Sequence, residues 1–554
     1  MIQNKKLKIY ALMLITALSG CTKLDEGLNS TLTNQQTADA LGSSGTGLLL
    51  KAAYSDLTAP FGDVGQLINL TGNASDESLV ATRAGDWDDN GAWRVMHNHS
   101  WNADLGSLLG TFNSLNKINF DATNVLAFGP TPSQAAEARF LRAYALYNIL
   151  DFYGQFPIRN PGDNLLNAPE VKSGAVAADF IISELNAILA TMPAASANIN
   201  YKGTADAARF LLMRCYLNRG AFANRAAPTF SDADMQQVIT LGNAIMSSGR
   251  YSYTPEYFDN FTADNQSKTK EAIWAYDNTS GVSANNMDVR SFWYSTLHYN
   301  SFDPKAPNAG WNGFSTVAEF YNTFGVTTAT TQTPSDTLLD QRIGGRFKKG
   351  VTDVPGSGLR PGLLIGQQFD DLGNKKHYRG WVAADGPNAK LLSFNPVIGA
   401  GMFETVPGLL EATGIRILKY APDFANYDGA AGNDVIIFRY ADAVLMVAEA
   451  MMRKAAPDNA GALTMVNTLR AARGAAPLPS MTLVAATNFV PTTLLAERGR
   501  ELYREWVRRT DLIRFGVFLR PWPYKPADDP KYLLYPIPSQ ALAANPNLKQ
   551  NPGY

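Results

Sequence analysis

The chain has 554 residues, of which 18% are charged and 11% aromatic, with 48 lysines and arginines against 49 aspartates and glutamates. A formal charge of −1 gives no support to a nucleic-acid partner or an anionic membrane surface. The length is enough for several lobes around a large core.

Lys5, Lys6 and Lys8 precede an apolar run over residues 9–18, which is too short to span a bilayer. Together they have the form of a secretory signal. The run ends in Leu18-Ser19-Gly20-Cys21, which resembles the lipobox of bacterial lipoproteins, where cleavage precedes a cysteine that becomes lipidated. The plainer alternative is an ordinary signal with a chance cysteine. The other cysteine, Cys215, lies in a helical apolar run, so an exported chain without a disulfide pair fits the use of Cys21 for lipid. The Asp25-Glu26 pair resembles signals that send such lipoproteins to the outer face of the outer membrane. No later stretch is apolar enough to cross a membrane.

A first helix is expected near residues 47–57. The segment 72–102 differs in kind: Trp87, Trp93 and Trp101 sit among small and charged residues with no period. Tryptophan in a loop either packs on neighbouring helices or offers a flat apolar face to a sugar ring. Within it, Asp86-Trp87-Asp88-Asp89-Asn90-Gly91 matches the first half of a calcium loop, but His97 stands where the bidentate glutamate belongs. A turn rich in Asp, Asn and Gly explains the same letters. His97 and His99 are expected on one side of a strand, without a third metal ligand.

Residues 131–157, TPSQAAEARFLRAYALYNILDFYGQFP, read as a core helix. Thr131 and Gln134 suit a capping box, Pro132 the first turn, and Gly154 the stop. Phe140, Tyr144, Tyr147 and Asp151 share one face. Arg139-Phe140-Leu141 recurs as Arg209-Phe210-Leu211, seventy residues on, about two lengths of the roughly 34-residue tetratricopeptide unit. With an amphipathic run at 177–189 and an Arg-aromatic segment at 438–451, this predicts stacked helical hairpins with long insertions.

Further helix is expected at 235–248 and a short strand at 271–276. Residues 280–313 carry Phe292, Trp293, Tyr294, His298, Tyr299 and Trp311 among Asn, Ser and Gly, a second aromatic loop. Residues 336–424 turn to Gly, Pro and Asp, with β-like pieces such as 414–420, and no period orders them. Residues 494–511 predict a charged helix docked with a solvated face. Leu495, Gly499, Leu502, Trp506 and Arg509 form its stripe, and Glu497, Glu501 and Glu505 are placed to pair with Arg500, Arg504 and Arg508. Gly499 would admit another backbone. The chain closes in a Pro-pinned tail.

The lipobox at Cys21, AEARFLRAYALYNILDFYGQFP, FRYADAVLMVAEAM, ERGRELYREWVRRTDLIRFG and the tail YPIPSQALAANPNLKQNPGY together resemble the SusD/RagB family of outer-membrane nutrient-binding lipoproteins. These pieces run from the signal to the last residue. The resemblance implies a mainly α fold of four tetratricopeptide-like helix pairs with an irregular, loop-rich remainder that builds the ligand site. It divides the chain into a signal (1–20), an N-terminal region with the helical hairpins (21–250), and a C-terminal region with the aromatic loop and closing helices (251–554). It implies a lipid-anchored protein facing the cell exterior and a SusC-like TonB-dependent transporter that it covers as a hinged lid. The ligand is usually a glycan, sometimes a peptide or another large nutrient. From the residues themselves no cofactor, metal site or catalytic residue is expected, with calcium at Asp86, Asp88 and Asn90 left as the alternative to a plain turn.

No ligand residue transfers by motif, so the candidates rest on composition and position. Trp87, Trp93, Trp293, Tyr294, Tyr299 and Trp311 are the stacking candidates; Arg83, Asp86 and Asn300 are the hydrogen-bonding ones. The two aromatic loops are expected to meet at the surface. A surface glycosidase or peptidase is the rival reading, although the H-E-x-x-H helix, the G-x-S-x-G elbow and the P-loop are absent. A pure protein-binding scaffold is the third.

Overall fold

The computed structural model of the protein describes residues 34–197, 199–282, 286–301, 309–325, 340–344, 361–369, 375–379, 390–426 and 429–554. The signal-like segment, Cys21 and the Asp25-Glu26 pair lie outside the described residues. Among the described residues, eight helices have fourteen residues or more: α1 (Asn34–Ser55), α2 (Gly106–Ala127), α3 (Pro132–Tyr153), α4 (Gly174–Ile188), α5 (Ala205–Ala223), α6 (Asp232–Met246), α7 (Tyr440–Arg453) and α8 (Asn459–Ala472). Each packs on the next, which gives four consecutive pairs. The fold is mainly α, as expected. Arg139 and Arg209 lie on α3 and α5, so their seventy-residue spacing is one step of the array and not two. The added length is the hairpin of Gln155–Ile158 with Glu170–Ser173 and the loop before α5.

Helix α3 shows why its segment is helical. Thr131 Oγ1 accepts from the Gln134 N–H at 3.3 Å while Gln134 Oε1 accepts from the Thr131 N–H at 3.0 Å. Gly154 ends it in the left-handed conformation (φ 72°), where a Cβ would also meet Leu534 at 2.8 Å. Its Phe140 and Tyr144 rings both lie 5.0 Å from Trp274, edge to face. Trp274 belongs to the strand Ala272–Tyr276, which pairs antiparallel with Val435–Arg439. That pair brings the long excursion between α6 and α7 back onto the helices.

The segment 494–511 departs from expectation. It forms two helices, α9 (Leu494–Leu502) and α10 (Arg508–Arg514), around a break where Arg504 and Trp506 have φ near 60°. Its charges are buried, so the solvated face does not exist. Glu497 pairs with Arg500, but Arg508 pairs with Asp76 at 2.7 Å and the Arg504 N–H donates to Glu77 at 2.8 Å. Gly499 admits the Arg508 guanidinium and the Phe320 ring rather than a backbone. Glu501 is the hub: its carboxylate accepts from Arg439 (2.7 Å), Arg473 (2.8 Å) and Arg342 (3.1 Å). Burial opposes charge on Glu501, but these three guanidiniums outweigh it and hold the carboxyl well below the usual range. An amphipathic reading assigns charge to solvent by default; here the opposing charges arrive from Arg439 at the end of the strand before α7, Arg473 just past α8, and Arg342.

Tertiary partners also explain three residues of the first loop. His97 ends the short helix Ala92–His97, not a strand, and its ring lies between the carbonyls of Ser78 and Pro523. His99 meets Asp528 and the Ala74 carbonyl, and Trp101 donates to Tyr554 Oη at 2.8 Å. These are structural residues that tie the loop to the closing tail. The four-stranded sheet, in the order Leu79–Val80, Phe314–Thr316, Ile415–Leu418, Gly362–Leu364, then sets both aromatic loops side by side.

Candidate functional site

The first loop leaves the strand Thr82–Arg83 and turns sharply, with left-handed backbone at Ala84, Trp87, Asp89, Asn90 and Gly91. Asp, Asn and Gly tolerate that region, whereas a tryptophan there is uncommon and is held by its surroundings. The Trp87 indole lies on Gly313, where a Cβ would collide with it and approach the Ser295 carbonyl oxygen to 2.7 Å. Trp87 Nε1 donates to the Trp311 carbonyl at 2.5 Å. Its ring centroid lies 5.0 Å from Trp93, 5.5 Å from Phe314 and 6.5 Å from Trp311. Trp93 Nε1 donates to Asp89 at 2.6 Å. Phe314 is the buried base under both indoles, with the Arg504 guanidinium 4.7 Å from its centroid.

The two loops therefore touch, and the outermost ring is Trp311, 41% exposed. Tyr294 stands 5.7 Å from it, edge to face, and is itself mostly buried. Tyr299 donates its hydroxyl to the Asp86 carboxylate, and the Arg379 guanidinium covers its ring at 3.9 Å. Burial, reinforced by Asp86, pushes the Tyr299 phenol up to about 12, so it remains the donor. Asn300 lies half-buried beside this edge and donates to the His377 carbonyl at 3.2 Å.

Two candidates are elsewhere. Trp293 is 0% exposed, a core ring with no face to offer a ligand. Arg83 is 2% exposed; it donates to the carbonyls of Ala81, Gly313 and Thr413 and to Ser315 Oγ. Arg416 donates to the same Ser315 Oγ at 2.9 Å. Arg83 is a brace behind the platform and not a ligand contact.

The D-x-D-x-N-G turn spends its carboxylates separately: Asp86 on Tyr299, Asp88 on Arg94 at 2.9 Å, and Asp89 on Trp93. No group of three His, Cys, Asp or Glu among the described residues is arranged to hold a metal ion. The sequence reading missed Phe403, 46% exposed, with the Arg94 guanidinium 3.9 Å from its centroid. Phe403 arrives by parallel pairing of Phe403–Glu404 with Thr82–Arg83, from a region without period. Glu411, also missed, meets His298 Nε2 at 2.8 Å and the Arg379 N–H at 2.8 Å. Burial opposes charge on Glu411, but those bonds hold its carboxyl below its ordinary value. His298 is lowered by burial and accepts from the Asn300 N–H at Nδ1, so its proton is on Nε2, facing Glu411.

Exposed indole and phenyl faces beside carboxylate, guanidinium and amide groups can stack the C–H face of a sugar and bond its hydroxyls. Residues 270–530 match the family model described as the SusD family. The chain is 27% identical over 475 residues to the starch-binding protein SusD of Bacteroides thetaiotaomicron, covering 79% of this chain and 76% of that one. Its fold is similar to a SusD-like protein from Bacteroides fragilis (TM-score 0.63, 19% identity, 93% of this chain and 97% of that chain). It is also similar to surface glycan-binding protein A from Bacteroides thetaiotaomicron in complex with laminarihexaose (TM-score 0.64, 17% identity, 92% and 99%).

Proposed function

The chain belongs to the SusD family, and on that premise we propose that it is a surface lipoprotein, anchored through Cys21, that captures oligo- or polysaccharide. In this reading it closes as a lid over a SusC-like TonB-dependent transporter of the outer membrane. The observation that carries the reading is the joining of the two aromatic loops around Trp87, with Trp311 outermost. The ligand surface we assign is Trp87, Trp93 and Trp311, with the edges of Tyr294 and Tyr299, and with Asp86 and Asn300 for hydroxyls. Phe403 and Arg379 extend it.

Several rings along one surface favour a chain of sugars over a single one, since each adds only about 0.5–1.5 kcal/mol beyond area burial. Delivery at a transporter mouth makes modest affinity sufficient, because tethering raises the local concentration. The starch and laminarihexaose named for the relatives support glucans as the first ligands to try. A glycosidase would need two acids free to act across a bond. Asp86, Asp88 and Asp89 are each committed to a neighbouring side chain, which favours capture over cleavage.

The test is calorimetric titration of the chain from residue 21, carrying Cys21→Ala, with plant, fungal and host oligosaccharides, while reducing ends are assayed. Saturable heat without new reducing ends is expected. Cleavage would make it an enzyme, and silence across the panel would remove glycans as the ligand.

A further inference from the structure

At Tyr299 and Asn300 the platform meets a short extended segment, residues 375–379. Its backbone is held from two sides: the Lys376 N–H donates to the Gln368 carbonyl, and the Leu392 N–H to the Lys376 carbonyl, both at 2.9 Å. Asn300 Nδ2 donates to the His377 carbonyl at 3.2 Å and pins the segment to the platform edge. Extended backbone sends alternate side chains to opposite faces. Lys376 and Tyr378 point inward and are buried; Lys376 Nζ donates to the Asn300 carbonyl and Tyr378 Oη to the Gly408 carbonyl at 3.0 Å. Lys375 and Arg379 are exposed and His377 is half-buried between them. The outer face of the segment is therefore a row of three basic side chains beside the stacked rings.

The Arg379 guanidinium is held in place. It lies flat on the Tyr299 ring at 3.9 Å, with its Nε 3.6 Å from Glu411, while the Arg379 N–H donates to the same carboxylate at 2.8 Å. Both side-chain contacts leave the paired Nη edge unused, and that side chain is 49% exposed. A planar fork of this kind matches two oxygens of a carboxylate or a sulfate ester. The carboxylates at this edge are committed, Asp86 to Tyr299 and Glu411 to His298. Lys390, on the neighbouring strand, adds a further cation over the Tyr378 ring at 3.9 Å. The uncommitted charge facing outward here is positive, although the chain as a whole carries −1.

We propose that the captured glycan carries acidic groups, as carboxylate or sulfate ester, and that the row Lys375, His377 and Arg379 binds them. The inference rests on the platform being the capture site, as proposed above. Sugar rings lie on the indoles, the chain runs past Tyr299, and an acid takes the Nη edge of Arg379. Lys375 is about 13 Å farther along the strand, so a chain with recurring acids engages both ends of the row. The adjoining indole faces favour such a chain over a polyanion without sugar rings. Salt weakens the charge contacts and spares the stacking, which makes the two contributions separable.

The test is calorimetric titration of the chain from residue 21, carrying Cys21→Ala, with two matched pairs. One is hexagalacturonate and its methyl ester; the other is laminarihexaose with and without sulfate esters. Expected is about tenfold tighter binding of the acidic member of one pair, a preference that shrinks as salt is raised. The pair that shows it tells carboxylate from sulfate. Arg379→Gln and Lys375→Gln, both at exposed positions, should each lower the ratio of acidic to neutral affinity, by about fivefold for Arg379. Equal affinity within both pairs, including silence from all four, would overturn the proposal. So would a ratio unmoved by the double variant, or equal binding of polyphosphate of similar length. Trp87→Ala with Trp311→Ala separates this proposal from the reading beneath it. Loss of acidic and neutral glycan alike in that variant keeps the platform, and the ratio in the unaltered protein then judges the basic row. Acidic glycan bound at full affinity by that variant would remove the platform as the capture site, and the proposal with it.

Discussion

The indole N–H of Trp87 donates to the carbonyl oxygen of Trp311 at 2.5 Å, across 224 residues of chain. One bond thus joins the two aromatic loops, and it requires the left-handed backbone at Trp87 and the bare Cα of Gly313 beneath its ring. Placement of the outer rings is a property of the joined loops and not of either alone.

Gly313→Ala should therefore weaken oligosaccharide binding without removing any aromatic group. Its Cβ would push the Trp87 indole outward, break the bond to Trp311 and turn both rings. We expect an affinity loss of about tenfold, as for loss of one aromatic contact of about 1.5 kcal/mol. Tryptophan fluorescence should shift while helix content by circular dichroism stays the same. Wild-type affinity with a shifted spectrum would mean that ligand does not use the Trp87 position.

Trp311 and Trp293 make a paired test, since both come from one stretch and the structure leaves the first exposed and closes the second into the core. Trp311→Ala should lower affinity roughly 2- to 10-fold with little change in Tm. Trp293→Ala opens a cavity in the core and should cost about 3–5 kcal/mol of stability. Denaturant titration with calorimetry reads both. A stable, weak-binding Trp293→Ala would put that ring back among the ligand contacts.

Those two tryptophans also show where sequence reading stops. Local grammar was legible: the capping box at Thr131 and Gln134 and the stop at Gly154 need only a few neighbouring residues. Equal letters in one loop, Trp293 and Trp311, differ only in what packs on them: Trp311 meets Trp87 and Tyr294 at the surface, while Trp293 is closed into the core. Arg83 read as a ligand group because surface arginines usually are free; its four acceptors come from three separate strands or loops. Phe403 was invisible because its partner strand lies some 320 residues earlier, at Thr82–Arg83.

Glu501→Gln tests the buried charge cluster. The substitution leaves Arg439, Arg473 and Arg342 with less negative charge than their burial needs. Removing one partner of a buried pair costs about 3–5 kcal/mol. The loss should appear as a lower denaturation midpoint at unchanged slope, since the cluster ties α9 to the strand end at Arg439, to Arg473 past α8 and to Arg342, and not to the platform. A loss under 1 kcal/mol would mean that water or Glu271 and Glu505 compensate the three guanidiniums.

The response to acid follows from groups that pull in opposite directions. Burial lowers the imidazole of His99 to about 4 against the pull of Asp528, and lowers His97 and His298 as well. Below their ordinary value of 6.5 the unfolded chain takes up protons that the fold refuses, so this contribution is full above pH 6.5 and lost on acidification. Glu77 has the opposite sign. Burial raises its carboxyl to about 7 despite the Arg504 N–H and the Arg508 charge. Its contribution is full below its ordinary 4.5 and lost as pH rises through 7. Between 4.5 and 6.5 the two trends offset. Below 4.5 the carboxylates held down by arginines, Glu449 at about 2 and Glu497 and Glu501 also well below their ordinary value, must protonate against their partners. Burial opposes their charge, but the guanidiniums prevail, so stability is lost as pH falls. Tm should be nearly level from pH 7 to 4.5 and fall steeply below. Glu77→Gln keeps an acceptor for the Arg504 N–H but removes the offset. Its stability should drop up to about 3 kcal/mol further than the parent's between pH 7 and 4.5. Parallel curves for the two proteins would mean that Glu77 is already ionised in the fold at neutral pH, held by Arg504 and Arg508.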